Sequence, residues 1–248
     1  TTAQGFGTLV HALAAEVVTG GLDADADVLD AHLDQVWQRL DFAAPWVSDL
    51  ERAEARRAIE RFVTWHLAGR GRRAIAAEHS FEVTVSIGGD AIRLRGSMDR
   101  VEVDGGGRVH VVDLKTGKNA VAAKSVAEHP QLGVYQVAVQ NGAVDDIVDD
   151  PVEAGGAELV QLRVQASTND SGSPKVQPQA APDDSPAFAA YEQLGAAAAR
   201  VRGEDFSATP NSACRYCEFR TSCPAQPEGR TILVPPGAND PHAFGGDE

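Results

Sequence analysis

Gly96-Ser-Met-Asp-Arg-Val-Glu-Val-Asp-Gly-Gly-Gly-Arg-Val-His-Val-Val-Asp-Leu-Lys-Thr-Gly-Lys118 reads as two strands joined by a glycine turn, Asp99 to Val103 and Arg108 to Leu114. Each strand carries one acid, Asp99 and Asp113, and a lysine follows the second acid by two. Side chains of a strand alternate faces, so residues i and i+2 point the same way. Asp113 and Lys115 therefore stand side by side, with Leu114 on the opposite face. Val109 and Val111 share the face of Asp113, so the acid and lysine end an apolar stripe. Two carboxylates beside an ammonium can hold a hard divalent cation and steady an anion next to it. The bland alternative is an exposed hairpin with ordinary surface charges.

The chain has 248 residues and 43% hydrophobic content, enough for one sizeable core in one elaborated domain. Residues 1–229 are expected to form that domain and residues 230–248 a flexible tail. No apolar run reaches the length needed to span a bilayer, and the start lacks a basic-then-apolar leader, so a cytoplasmic protein without a membrane partner is expected. The first residue is Thr1, which suggests a fragment of something longer. The net charge of −14 argues against nucleic acid as a partner. Much of the acid, however, lies in loop-like stretches such as Asp23 to Asp30, Asp145 to Glu153 and Asp240 to Glu248, whereas Arg52 to Arg73 is locally basic. Distribution matters more than the sum, so weak autonomous DNA affinity is the expectation.

Upstream of the hairpin, Gly5 to Val18 has Leu9, Leu13 and Val17 at helical spacing, with His11 near its start. A second helix is predicted over about 28–40 and a third over 48–68, the latter opened by Ser48 and Glu51 as a capping box. Ile59, Phe62, Val63 and His66 would face the core. Arg52, Arg56, Arg57 and Arg61 would lie on other faces, either ion-paired to Glu51, Glu54 and Glu60 or free for DNA or a partner. Phe81, Val83, Val85 and Ile87 alternate in a strand from Ala77 to Ile87. Gly88-Gly89-Asp90 turns it into a return strand, Ala91 to Arg95. Glu78 opens this hairpin and could be a third carboxylate near a metal, a DNA-side residue or a surface acid; His79 is expected to be exposed.

Downstream, Pro130 suits the first turn of a helix, on which Gln131, Tyr135 and Val139 line one face. Asn141 to Gly156 reads as an acidic loop, and Ala157 to Val164 as the strand that closes the sheet. Ser167 to Ser185 reads as irregular, rich in Ser, Pro, Asp and Gln. A last helix is predicted over Pro186 to Gly203, with Phe188, Tyr191 and Leu194 packing.

The residues Gly96, Asp99 and Arg100, then Asp113, Lys115, Thr116 and Gly117, spell G-x-x-D-R and D-x-K-T-G. This arrangement resembles the core of the PD-(D/E)xK nucleases in their RecB-like form. The Gly7-x-x-x-His11 and Gln131-Leu-x-x-Tyr135 patterns resemble the flanking motifs of the same family. The resemblance implies an α/β fold of the restriction-endonuclease type, a small mixed sheet flanked by helices. It implies that Asp99, Asp113 and the Leu114 carbonyl, assisted by His11, hold Mg²⁺ or Mn²⁺, of which an imidazole ligand favours Mn²⁺. Lys115 would orient or deprotonate the attacking water, and Gln131 and Tyr135 would position substrate. The implied activity is hydrolysis of DNA, more as an exonuclease than an endonuclease, within a helicase–nuclease that processes double-strand-break ends for recombinational repair. No G-x-x-x-x-G-K-[ST] run is present, so a helicase domain or subunit would be a separate partner. The alternative function is a catalytically silent, metal-bearing DNA-binding or scaffold module of a helicase complex.

All three cysteines lie in Cys214-Arg-Tyr-Cys-Glu-Phe-Arg-Thr-Ser-Cys223, a metal-site spacing rather than a disulfide framework. Followed by Pro224, this tail resembles the iron–sulfur staple of AddB- and AdnB-type nucleases. A [4Fe–4S] cluster on Cys214, Cys217 and Cys223, its fourth ligand absent from the chain, is therefore expected, with zinc as the second choice.

Overall fold

The computed structural model describes residues 2–148, 152–184 and 188–229. It divides into two units, Thr1–Ala196 and Ala197–Glu248. The tail expected at 230–248 lies outside the described residues.

The first unit is built on a five-stranded sheet: β1 (Arg72–Ile87), β2 (Asp90–Asp104), β3 (Val109–Lys115), β4 (Ala154–Ser167) and β5 (Asp170–Gln179), in spatial order β1-β2-β3-β4-β5. Only β3 and β4 run parallel; the other neighbours are antiparallel. Parallel neighbours need a crossover, which is supplied by α4 (Pro130–Gln140). The mixed α/β fold, a small mixed sheet flanked by helices, is thus the one the family resemblance implied. The Ile87↔Asp90 pair closes the first hairpin on Gly88 and Gly89, both at positive φ, as a two-residue turn requires.

Each face of the sheet carries a helical layer. Val109 and Val111 join a core under α4 with Phe81, Val83, Val85, Leu132, Tyr135 and Leu159. Val112 and Leu114 join another core under three N-terminal helices, α1 (Thr2–Thr19), α2 (Ala26–Trp37) and α3 (Pro45–Leu67). The unbroken Val-His-Val-Val-Asp-Leu run is therefore a central strand buried on both faces, for which an apolar stripe on one face alone would not suffice.

Several expectations shift. The two short strands Ala91–Arg95 and Asp99–Val103 are one strand, β2, and β1 begins at Arg72 rather than Ala77. The sheet closes on β5, inside the segment read as irregular; Pro174 and Pro178 are tolerated because β5 is an edge strand. Helix α3 starts at Pro45 with Ala44 as its N-cap, so Ser48 and Glu51 form no capping box. Ser48 instead accepts from the Trp37 indole at 3.0 Å. Arg61 is buried and donates to the Ser171 and Leu162 carbonyls. Arg52 and Arg56 reach across to Asp30, at 2.7 and 2.8 Å, and Arg57 pairs with Glu54. The arginines of α3 thus serve the fold. His79 is largely buried and bonds the Ala143 carbonyl at 2.9 Å, so it is not the exposed residue expected.

The second unit holds the end of α5 (Ala190–Arg202) and a short 3₁₀ turn, Ser212–Tyr216, capped by the Asn211 side chain.

Candidate active site

The site forms at the C-terminal end of β3. Val112 is the last β3 residue paired with β2, opposite Arg100, and beyond it the two strands part. The Asp99 carboxylate fills that gap and accepts the Leu114 N–H at 2.7 Å. N–H and C=O of one extended residue point to the same side of the strand, so the Leu114 carbonyl is directed to the same gap.

Asp99 reaches this position because β2 changes face there. Met98 and Val101 both belong to the core under α4, although three residues apart. Strict alternation would put them on opposite faces. Opposite Asp99, between the pairs Ala77↔Arg100 and His79↔Met98, stands Glu78, whose φ of 47° is left-handed. A non-glycine residue held there costs on the order of 1 kcal/mol and persists only where its surroundings impose it.

From α1, His11 comes down onto these two acids. Its Nδ1 lies 3.5 Å from Asp99 Oδ1 and 3.7 Å from Glu78 Oε1. Ligand atoms of His11, Glu78 and Asp99 all fall within 4.8 Å of one another, the one such group among the described residues. Gly7, one turn before His11, allows this approach, since a Cβ there would sit 3.0 Å from the Thr116 hydroxyl. Gly7, Thr8, His11, Ala12 and Glu78 line an open cleft of about 380 Å³. Burial alone would lower the His11 pKa, but the hydrogen bond and charge of Asp99, with Glu78 and Asp113, raise it above the usual histidine value.

Asp113 is buried beside this group, and its pKa is pushed up to about 6, first by burial and then by the Asp99 charge. Lys115 Nζ lies 2.7 Å from Asp113 Oδ2, an ion pair without hydrogen-bond alignment, so that oxygen keeps unused acceptor capacity. Lys115 also donates to Gln131 Oε1 at 2.9 Å; Gln131 Nε2 donates to the Tyr135 hydroxyl at 2.9 Å; and that hydroxyl donates to the Ser97 carbonyl at 2.9 Å. Tyr135 is held neutral, its pKa pushed up to about 12, chiefly by burial.

The structure thus gathers His11, Asp99, Asp113, Leu114, Lys115, Gln131 and Tyr135 at one end of the sheet. It differs from expectation in the ligand group. Glu78 joins His11 and Asp99, and the Asp113 carboxylate lies outside that group, drawn to Lys115. The sequence signal for Glu78 was an acid opening a strand, which left its role open because face and φ are set by pairing with β2.

The three cysteines are free thiols, and among the described residues they form no ligand cluster. Cys214 Sγ instead accepts the Asn211 N–H at 3.2 Å. With three cysteines in the chain and no gathering of their sulfurs, the tail does not fit a [4Fe–4S] cluster as it stands.

The family model of the PD-(D/E)XK nuclease superfamily matches residues 1–224. The chain belongs to this superfamily. The superfamily is one of nucleases that use divalent metals, and a nuclease would act on DNA. No curated protein sequence gives a significant match. Among matching solved structures, the crystal structure of SSO0001 is 17% identical with a TM-score of 0.40, over 79% of this chain and 81% of that one. No described helix of the superfamily domain is long and apolar enough to cross a membrane.

Proposed function

We propose that the chain is a RecB-like deoxyribonuclease domain that uses Mn²⁺ or Mg²⁺ to hydrolyse DNA from its ends. The observation that carries this reading is the meeting of His11, Glu78 and Asp99 with the Asp113–Lys115 pair at the end of one buried strand. The donors suit a hard cation: two carboxylates and an imidazole converge, and a buried Asp113 oxygen beside them lacks a hydrogen bond. His11, Glu78 and Asp99 would hold the ion, with Asp113 and the Leu114 carbonyl alongside. When bound, the ion supplies Lewis-acid polarisation of the scissile phosphate.

The chain's own groups do the rest. Lys115 has three N–H donors. One goes to Gln131, and Asp113 keeps the ammonium close. A remaining donor orients the attacking water or balances the charge that develops on the phosphate. Gln131 is fixed from behind by Tyr135, itself tied to Ser97, so the lysine is held in place before substrate arrives.

The test is cleavage of end-labelled DNA with Mn²⁺ or Mg²⁺ by the wild type and by Asp113→Ala and Lys115→Ala. Loss of cleavage in both variants is expected; unchanged cleavage in Asp113→Ala would overturn the reading. Comparing linear with covalently closed DNA separates the exonuclease proposed from an endonuclease.

The RecB-like assignment rests on the G-x-x-D-R, D-x-K-T-G and Q-x-x-x-Y patterns. It carries a role beside a DNA-unwinding motor in the processing of double-strand breaks, tested by ATP-dependent unwinding of duplex DNA by complexes that co-purify with this chain. Its further implication, cluster ligands in Cys214, Cys217 and Cys223, has their C-x₂-C-x₅-C-P spacing for it and their ungathered sulfurs against it. Iron and acid-labile sulfide measured against zinc in the purified protein decide that point; absence of both metals sinks it.

A further inference from the structure

The connection from Lys115 to α4 runs from Thr116 to His129 and contains only a short 3₁₀ turn, Ala123–Ser125. It joins the two partners of the Lys115–Gln131 hydrogen bond, so its path determines whether they meet. A connection of this length with little secondary structure has many conformations open to it unless something fixes it. The fixing groups are glutamines of the edge strand β5. Gln179, 3% exposed, directs its Nε2 at the carbonyls of Val126, Ala127 and His129, at 3.0, 3.1 and 3.2 Å. The Gln136 amide of α4 donates to Gln179 Oε1 at 2.8 Å and so orients the clamp. Gln177 donates to the Val121 carbonyl at 2.8 Å and accepts from Gln161 at 3.1 Å. The His129 carbonyl also takes the first hydrogen bond of α4, from Gly133 N–H at 3.0 Å, two residues from Gln131.

Resting on the nuclease reading above, we propose that Gln179 is a positioning residue for the reaction. By pinning the Val126–His129 carbonyls it sets where the first turn of α4 presents Gln131 to the Lys115 ammonium. The Val126 carbonyl is enclosed and those of Ala127 and His129 are partly so, and all three lose their common donor when that amide is removed. Displacements of about 1 Å in a catalytic contact cost on the order of 100-fold in rate.

The experiment measures single-turnover DNA cleavage with Mn²⁺ in four proteins: wild type, Gln131→Leu, Gln179→Leu and the double variant. Gln179→Leu is expected to slow cleavage at saturating DNA by roughly 10- to 100-fold with little change in the concentration giving half-maximal rate. In the Gln131→Leu background the same substitution should cost less than about 2-fold, because residues acting through one contact are not additive. Multiplicative losses, or no loss in Gln179→Leu, overturn the proposal. Gln136→Leu, which leaves Gln179 in place but removes its orienting donor, guards against misfolding of the first variant. It should speed amide hydrogen exchange locally over 121–133 and slow cleavage in the same direction. Exchange unchanged there, or raised throughout the domain, tells against a local clamp. A wild type that does not cleave overturns the nuclease reading and this proposal with it; a cleaving wild type with multiplicative losses overturns this proposal alone.

Discussion

Asp113 is where the chemistry and the stability of the domain pull against each other. Its pKa rises from 3.8 to about 6 on folding, because burial and the neighbouring Asp99 charge both disfavour its ionised form. The folded state therefore holds the proton more tightly than the unfolded chain. Stability from this group is greatest below about pH 4 and falls as pH rises through about 6, beyond which it is constant. The metal-free protein should thus be less stable than Asp113→Asn at pH 8, by about 2–3 kcal/mol, since each tenfold change in proton affinity is worth about 1.4 kcal/mol. The gap should close towards pH 4, as read by paired denaturant titrations at each pH. A cation must displace that proton, and also the one that the raised pKa of His11 favours. Mn²⁺ affinity should accordingly climb as pH rises through about 6 and then level off, in calorimetric titrations of the wild type. Glu78 shows the same conflict in its backbone. Glu78→Gly should raise thermal stability by about 0.5–1 kcal/mol by relieving the left-handed strain, while weakening Mn²⁺ binding. Equal metal affinity in that variant would remove Glu78 from the ligand group.

At the scale of elements, the site depends on how closely α1 lies against the turn after β3. Gly7 has room for no more than a hydrogen on that side, since a Cβ would meet the Thr116 hydroxyl at 3.0 Å. Gly7→Ala should lift α1 by a few tenths of an ångström and draw His11 off Asp99. Mn²⁺ affinity should fall several-fold with little change in melting temperature, because helix propensity favours alanine by about 1 kcal/mol. Unchanged affinity would show that the helix has slack. The elements legible in the sequence were those whose own residues specify them. The helix of His11 has its leucines and valines at helical spacing, β1 alternates, and the Gly88-Gly89 turn supplies two positive φ angles. Strand β5 was not legible: Asp-Ser-Gly-Ser-Pro-Lys-Val-Gln-Pro-Gln has neither β-branched residues in number nor an apolar face. It is a strand because β4 offers it a free edge, and its buried glutamines are satisfied by loop carbonyls that only the folded chain brings near.

For the whole molecule, the net charge of −14 and the fate of the arginines belong together. Arg52, Arg56 and Arg61 hold α3 to its neighbours, and Arg57 pairs within the helix with Glu54. A second set lies buried at the end of the sheet away from the site. Arg100 bonds Glu102 at 2.7 Å, Arg70 bonds Glu102 at 2.5 Å and Glu158 at 2.9 Å, and both guanidiniums lie over the Trp65 ring. Glu102 is fully buried, so removing Arg100 leaves its charge to be compensated chiefly by Arg70. Arg100→Ala should cost about 3–5 kcal/mol in a denaturant titration. A loss under about 1 kcal/mol would mean that Arg70 alone suffices. Arg100 follows Asp99 directly, which ties the Asp99 end of the candidate site to this anchor through one peptide bond.

The fold class and the place of His11, Gln131 and Tyr135 beside the D-x-K strand were what the family resemblance implied; local pattern in the chain was enough for most helices and strands and for the D-x-K strand end itself. These follow from side-chain periodicity and from chemistry carried by neighbours in the chain, such as Asp113 beside Lys115. Folding alone brought Glu78 close to His11 and Asp99. Glu78 enters because two paired strands break their alternation opposite each other, while the buried Asp113 lies 2.7 Å from the Lys115 ammonium. Pairing register and burial arise between segments distant in the chain, and no local pattern encodes them.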